Sequence, residues 1–553
     1  MTWKTERILL SFVAAFSLTI ATHAHGQGAA QAGHDHSGEH FGSVHFDTSC
    51  SAAVQPQFDR AVAMLHSFFY PETDKAFQAI ADREPSCAMA YWGIAISMRP
   101  NPLTAPFAPA LLKRGWDAIE KARGAAPKTA RERDWIDALA QFFDGHDTID
   151  QHTRTRRYAA AMEALHTRYP NDSEIAVFYA LSLLEAVDLT DTAYRGQLKA
   201  AALLERLQRR QPDHPGIVHY LIHSYDYAPI ATKGLPAARR YAALAPSAPH
   251  ALHMPSHIFS TLGMWPEAIQ TNLVADRANI SYAETSNPKA TANTAAIIAR
   301  YHALDFLTYA YLQLAQDRQA KAVLDQRNML AAMPAEERIT AHTAYAAIPV
   351  RYALERGAWK EAATLEPIRT PFKEAEAIVW FGRVVGAARD GDRTAAARDL
   401  SQLSRLGQEL AAPGGDPYWA EQVAILEKAA SAWVALGESR KDDAVAAMQE
   451  AANREDRTEK HVAMENRLWP MRELLGELLI EAGRPGEALR EFERSLRVAP
   501  NRFRSLAGAA RAAASVGNRK LASFYYRRLL TQAANADGDR PELGAARQFL
   551  ASR

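Results

Sequence analysis

The sequence predicts an all-α chain, a right-handed α-solenoid of helix–turn–helix repeats. Three observations lead there. Beyond residue 50 the apolar residues recur at helical spacing, with Ala, Leu, Arg and Glu dominant and β-branched alternation rare. Gly and Pro interrupt that pattern at short intervals, so the helices are short. A turn glycine followed five residues later by alanine returns along the chain, at Gly263/Ala268, Gly357/Ala362, Gly391/Ala396, Gly483/Ala488 and Gly517/Ala522, and two of the steps are 34 residues. The small residue lets the second helix of a hairpin approach the first, and an aromatic side chain (Phe492, Tyr526) fills the gap between hairpins. One hairpin cannot bury its apolar face alone, so the hairpins must stack.

The 553 residues are 48% hydrophobic, which supplies ample core, and Lys plus Arg (64) balances Asp plus Glu (63). That balance, without aromatic–basic interleaving, argues against a nucleic-acid partner. No GxxxxGK[ST], GxGxxG after a strand, GxSxG or HExxH occurs, so the common phosphate-loop, dinucleotide, nucleophile-elbow and zinc-protease signatures are missing. Lys4 and Arg7 precede an apolar run from Ile8 to Ile20, shorter than the ~20 residues of a membrane span. Thr22-His23-Ala24 then fits a small-x-small cleavage pattern, so residues 1–24 are expected to be a signal peptide and the protein periplasmic or secreted. No membrane span is expected after its removal. Residues 25–45 read as a flexible leader whose His25, His34, His36, His40 and His45 can catch Zn2+ or Cu2+ loosely. Cys50 and Cys87 are the only cysteines, and in an oxidising compartment they are expected to pair, with buried free thiols as the alternative. The Pro/Gly-rich segment 411–417 is expected to link an N-terminal array (46–410) to a C-terminal one (418–553), and Thr285 to Thr294 reads as an insertion.

Leu475-Gly476, Gly483, Ala488, Phe492 and Pro500 stand at the spacings of the tetratricopeptide repeat, and the chain resembles tetratricopeptide (TPR) proteins over most of residues 50 to 545. The segments HFDTSC (45–50), AMAYWG (88–93), HYLIHSYD (219–226), HALHMPSHIF (250–259) and HALDFLTYAYLQ (302–313) are similar to those of a group of exported bacterial TPR proteins. The resemblance implies fold and export, and hands over no reaction.

Six of the 19 histidines fall within residues 214 to 257. Two blocks align here at a shift of 34: Pro215 with Pro249, His219 with His253, and His223 with His257. With each proline at position 1, the histidines take positions 5 and 9, His250 position 2 and Asp226 position 12. A third repeat, counted back from Ala315 and Ala320, places His302, Asp305 and Tyr309 at positions 2, 5 and 9. Those positions lie within an arc of about 60° on a helix, and the TPR resemblance implies that they line a concave groove. Neighbouring helices pack on the order of 10 Å apart, so imidazoles from two repeats can share one metal ion. His219, His223, His253 and His257 are the expected ligands of Zn2+ or Cu2+, or of Fe2+ if Asp226 or Asp305 joins them. The carboxylates can instead orient imidazoles from behind, or the whole face can be a polar groove bonded to Asp226, Asp305 and Tyr309.

Pro255, at position 7, either starts the helix late or kinks it. Arg351, at position 9 of a fourth repeat, is expected to offer the groove a positive charge suited to a carboxylate or phosphate. His66 reads as a buried, hydrogen-bonded histidine, and Trp92, Trp265 and Trp359 as packing residues. The functional expectation is a binding or adaptor protein whose groove takes a metal, a peptide or a small polar ligand. The alternatives are a metal-dependent hydrolytic or oxidative enzyme on the same histidines, and a protein–protein scaffold.

Overall fold

The computed structural model describes residues 38–104, 106–286, 294–330 and 338–552. The expected signal peptide, His25, His34, His36 and most of the insertion at 285–294 lie outside the described residues. Residues from His40 onward form one compact unit. Among the described residues there are α-helices and two short 3-10 turns and no strand, and no helix is long and apolar enough to cross a membrane. Successive helices pack on each other as hairpins, and the hairpins stack in order, which makes the molecule an α-solenoid.

The repeat logic is visible residue by residue. Gly263, Gly357, Gly391, Gly483 and Gly517 all close their hairpins with a left-handed backbone, φ between +67° and +88°, where a Cβ is strained. The alanines five residues on, Ala268, Ala362, Ala396, Ala488 and Ala522, are all buried where the helices touch. Phe492 on the helix Pro485–Val498 wedges between its two neighbours, and a Cβ on Gly476 or Gly508 would fall 2.9 or 2.2 Å from its ring. Cys50 and Cys87 are joined, with Cα atoms 5.1 Å apart, tying the segment before the first helix to the loop before the helix Ala88–Ser97.

Two expectations about boundaries change. Residues 40–45 are not part of a flexible leader. The His40 amide donates to Ser247 Oγ (2.8 Å), the Ser43 amide donates to the Asp213 carbonyl (2.9 Å), and Phe41 is buried against Phe69. His45 is bonded to Asp59 at 3.1 Å rather than free to catch a metal. The apolar side chain of Phe41, isolated among polar neighbours, is what pins this strand of chain. The segment 411–417 is likewise no spacer: the Gly415 amide closes a turn on the Ala412 carbonyl (2.9 Å), and Asp416 caps the helix Pro417–Gly437, accepting from the Tyr418 amide at 2.8 Å. One core runs through that turn, from Ala315 to Ala546, a second runs from Phe41 to Ala310, and two small clusters, around Leu304 and around Tyr301, lie between them in sequence.

The C-terminal hairpins turn back onto the middle of the chain. Trp265 Nε1 donates to the Asn501 carbonyl (2.8 Å), Asn501 Nδ2 to the Gly263 carbonyl (3.1 Å), and Gln532 Nε2 to the Gln313 carbonyl (2.7 Å). Between the hairpins lies a buried ladder of ions. Arg504 grips Glu477 through Nε (2.6 Å) and Nη2 (2.9 Å), and Arg389 Nη1 reaches the same carboxylate at 2.7 Å. Burial opposes the charge on Glu477, but the two guanidiniums outweigh it and hold its carboxyl down at about 2. A depressed folded value stabilises the fold above the unfolded value of 4.5 and withdraws that stability as pH falls toward 2. Glu477→Gln, which leaves two buried cations short of a partner, should cost about 3 kcal/mol at pH 7. Its urea midpoint should also depend less on pH between 4.5 and 2 than that of the parent chain.

Candidate metal centre

The helix Pro215–Tyr225 begins at a proline whose fixed φ suits the first helical position and carries His219 and His223 one turn apart. The next repeat starts the same way at Pro249, but its helix is interrupted. Pro249–His253 and Pro255–Thr261 are separate hydrogen-bonded stretches joined through Met254, whose φ/ψ of −53°/−36° keeps the chain helical. This is the kinked form of the two expected for Pro255. The His257 amide turns to the Met254 carbonyl (3.2 Å), and Ser256 Oγ donates to the His253 carbonyl at 2.8 Å. Ser256 is thereby committed to the backbone and serves the kink rather than His257. His302 comes from the long helix Thr294–Gln313.

His219, His223, His250, His253, His257 and His302 meet, while His214 lies apart with Glu174, and the six sort into two sets of three rather than one set of four. His219, His223 and His250 form one, and His253, His257 and His302 the other, with the ligand atoms of each set within 4.8 Å of one another. Nε2 of His219 lies 3.2 Å from Nε2 of His250, and Nε2 of His253 lies 3.1 Å from Nε2 of His257. Three of the outward nitrogens are tied to acceptors. His219 Nδ1 donates to the His66 carbonyl (2.7 Å), His253 Nδ1 to Asn272 Oδ1 (2.7 Å), and His257 Nδ1 to Asp226 Oδ2 (2.9 Å) and Glu465 Oε1 (3.2 Å). Asn272 has no freedom to reverse, because its Nδ2 donates to the Ala268 carbonyl at 2.8 Å. Hydrogens on these Nδ1 atoms turn the Nε2 atoms inward, with a lone pair on the neutral His219 and His253 rings.

Burial sets the charges. It pushes His219 and His253 down to about 3, and it pushes His223, His250 and His302 well below the usual range, with neighbouring imidazoles adding to the effect. His257 is the exception: burial opposes its charge, but Glu465 and Asp226 outweigh burial and raise it to about 9. Asp226 stays ionised against burial because Lys460 Nζ sits 2.9 Å from it and His257 lies on its other side.

Two phenyl rings cover the sets. Phe68 lies 4.5 Å from the His219 ring, 5.3 Å from His250 and 6.1 Å from His223, and Phe306 lies 4.9, 5.2 and 5.1 Å from His253, His257 and His302. Phe68 holds φ at +54°, a strained backbone for a bulky residue.

Several sequence candidates lie beside the site rather than in it. Asp226 accepts from His257, Thr261 and Lys460 and so acts from behind the imidazole. Asp305 is committed to Arg351 Nε at 2.9 Å. Arg351 is fully buried and offers no charge to a groove ligand: its Nη1 donates to the carbonyls of Arg467 (2.8 Å) and Leu468 (3.3 Å), and its Nη2 to that of Asn466. Tyr309 packs on Trp265 and beneath the guanidiniums of Arg351 and Arg502. His66 is buried between Glu174 Oε2 and the Tyr220 hydroxyl, each at 3.0 Å, and His214 joins the same carboxylate at 2.8 Å. Trp92 and Trp265 are buried, as packing residues are.

The contributors that sequence reasoning missed are Phe68, Asn272, Phe306, Lys460 and Glu465. The last two arrive on the segment between the helices Lys441–Glu455 and Met471–Glu481. That segment lies on the histidine-bearing array. The Glu459 amide donates to the Leu189 carbonyl (2.7 Å), and Thr343 Oγ1 donates to the Ala463 carbonyl at 2.6 Å. The face expected to be an open groove therefore carries the chain's own strap. The one signal available was length, since a long connection stands out in an array of tight turns.

No protein-family model and no curated protein matches the sequence. Among solved structures, the crystal structure of the TPR domain of P58(IPK) is similar over 69% of this chain and 100% of that one, at 16% identity and a TM-score of 0.21. The repeat architecture rests on this chain's own hairpins.

Arg351→Met should cost about 3–5 kcal/mol, because it strands Asp305 without its cation. It should also loosen the strap, read as faster amide hydrogen exchange across residues 459–468 with the N-terminal helices unaffected.

Proposed function

We propose that this protein binds a transition-metal ion, Zn2+ or Cu2+, on buried imidazoles held by two consecutive helical repeats. One observation carries the reading: Nε2 of His253 and Nε2 of His257 lie 3.1 Å apart while each ring's Nδ1 faces a fixed acceptor. In the metal-free chain the second proton that Glu465 and Asp226 hold on His257 bridges its Nε2 to the His253 Nε2 lone pair, and a metal ion would take the place of that proton. A tetrahedral ion with Zn–N of ~2.0–2.1 Å places two donors roughly 3.3 Å apart, so an ion fits between the two nitrogens at almost the spacing they already have. The carboxylates behind His257 make its Nε2 a better donor, and Asn272 fixes the tautomer of His253. All-imidazole sets favour Zn2+ and Cu2+ over Mg2+, Ca2+ or Mn2+. Three protein ligands leave a position for water, so the site suits metal-assisted hydrolytic or oxidative chemistry as well as metal carriage. The reading includes an extracytoplasmic location, which the Cys50–Cys87 disulfide supports.

A second reading, a protein-binding scaffold, is favoured by Val498, Val516 and Phe524, large apolar side chains left exposed on the C-terminal hairpins. The two readings are compatible, since those residues are not among the histidine sets.

The test uses the untagged chain with His25→Ala, His34→Ala and His36→Ala, so that the leader cannot hold metal. After equilibration with Zn2+ or with Cu2+ and gel filtration, elemental analysis should find at least one ion retained per chain. His257→Ala should weaken retention at least tenfold. Retention of neither ion would overturn the proposal.

A further inference from the structure

The six histidines fall into two complete sets, and no residue is shared between them. Each set takes an i, i+4 pair from one repeat and a third ring from the next repeat: His219 and His223 with His250, and His253 and His257 with His302. Each has a close Nε2–Nε2 contact, at 3.2 and 3.1 Å. Each has at least one outward Nδ1 tied to a fixed acceptor, and each has its own phenyl cover, Phe68 or Phe306. The sets abut, with the His223 and His257 rings 5.7 Å apart and those of His250 and His253 6.2 Å apart.

The first set contains an observation that hydrogen bonding within the protein does not satisfy. The His219–His250 contact can be met by a hydrogen on His250 Nε2. His223 Nε2 is different: it is sealed from solvent on a residue only 7% exposed, and it has no partner. A buried polar atom left alone costs the fold free energy. It belongs to a ring whose centroid stands 4.9 Å from that of His219, in the set whose other two Nε2 atoms already converge.

We propose that the centre is dinuclear, with one ion on His219, His223 and His250 and a second on His253, His257 and His302. This inference rests on the metal-binding reading above and deepens it. The ions differ in affinity. The second set is backed by Asp226 and Glu465, whose negative charge Lys460 only partly offsets, so it takes the tighter ion. The first set is backed by a neutral carbonyl, and its ion also meets the charge already bound next door.

His223 also borders an open cleft of about 90 Å3 whose wall includes Glu185, Asp226, Lys460 and Glu465, so solvent reaches the edge of the first set. Two further clusters of metal-binding residue types are different in kind: His66, Glu174 and His214 already bond to one another and to Tyr220, and Asp226 and Glu465 meet the Nδ1 side of His257 and are bridged by Lys460.

The same untagged chain with the three leader histidines replaced decides the matter. It is titrated with Cu2+, passed through gel filtration and analysed for copper per chain, with circular dichroism confirming the fold of each variant. We expect two ions per chain, bound with distinct affinities. His223→Ala should retain one ion, the tight one. His250→Ala is a second probe of the same set on a half-buried ring that the fold tolerates more readily, and it should behave alike. His302→Ala should instead lose the tight ion. One ion per chain in the parent overturns the dinuclear centre and leaves the metal-binding reading standing, whereas none overturns both. Two ions in the parent that survive both His223→Ala and His250→Ala place the second ion elsewhere and also overturn the proposal.

Discussion

An imidazole ring taken out of water must find a partner for each of its nitrogens or cost the fold free energy. Six such rings packed side by side make that the governing constraint of this molecule. On His219, His253 and His257 the outward nitrogen is answered by the protein itself, through the His66 carbonyl, Asn272 and Asp226. The inward ones face each other. The kink at Pro255, the strained Phe68 and the strap carrying Glu465 are intelligible as the means of holding that arrangement in place.

The repeat fold suits this task because it supplies the same positions again with each hairpin. A helix that starts at a proline and carries imidazoles one turn apart is used twice, at Pro215 and Pro249. Stacking then brings equivalent rings within ring-to-ring contact. The second copy is not a plain duplicate. Proline at 255 bends the chain, and the His253 carbonyl, freed because the His257 amide turns to Met254, is answered by Ser256. Rigid hairpins on either side fix the positions that the bend sets.

Local signals carried the fold. The turn glycines and the alanines five residues on have a single steric purpose, so their spacing was readable, and the 34-residue shift aligned the two histidine pairs. His250 and His302 were placed by the same register. What local signals could not reveal was partnership at long range. Arg351 and Asp305 occupied groove positions by register, yet the strap between 458 and 469 came back across that face and claimed Arg351. Lys460 and Glu465 lie in a segment with no helical period to place it, more than 200 residues from the rings they serve. The sorting into two sets of three depended on side-chain directions at the kink, which no pattern of spacing records. The leader's true end followed from one apolar residue, Phe41, whose burial pins a segment that composition alone described as loose.

The strap also determines when the centre can exist. Its carboxylate and ammonium groups belong to the last quarter of the chain, while His66, whose carbonyl orients His219, belongs to the first. Contacts so distant in sequence form late, after the cost of closing a large loop has been met. The histidine pocket is therefore the keystone of the arch rather than its footing. Isolated repeats can coil early and independently, but the completed histidine pocket requires that His66 in the first quarter of the chain and Lys460 and Glu465 in the last have both reached their final places.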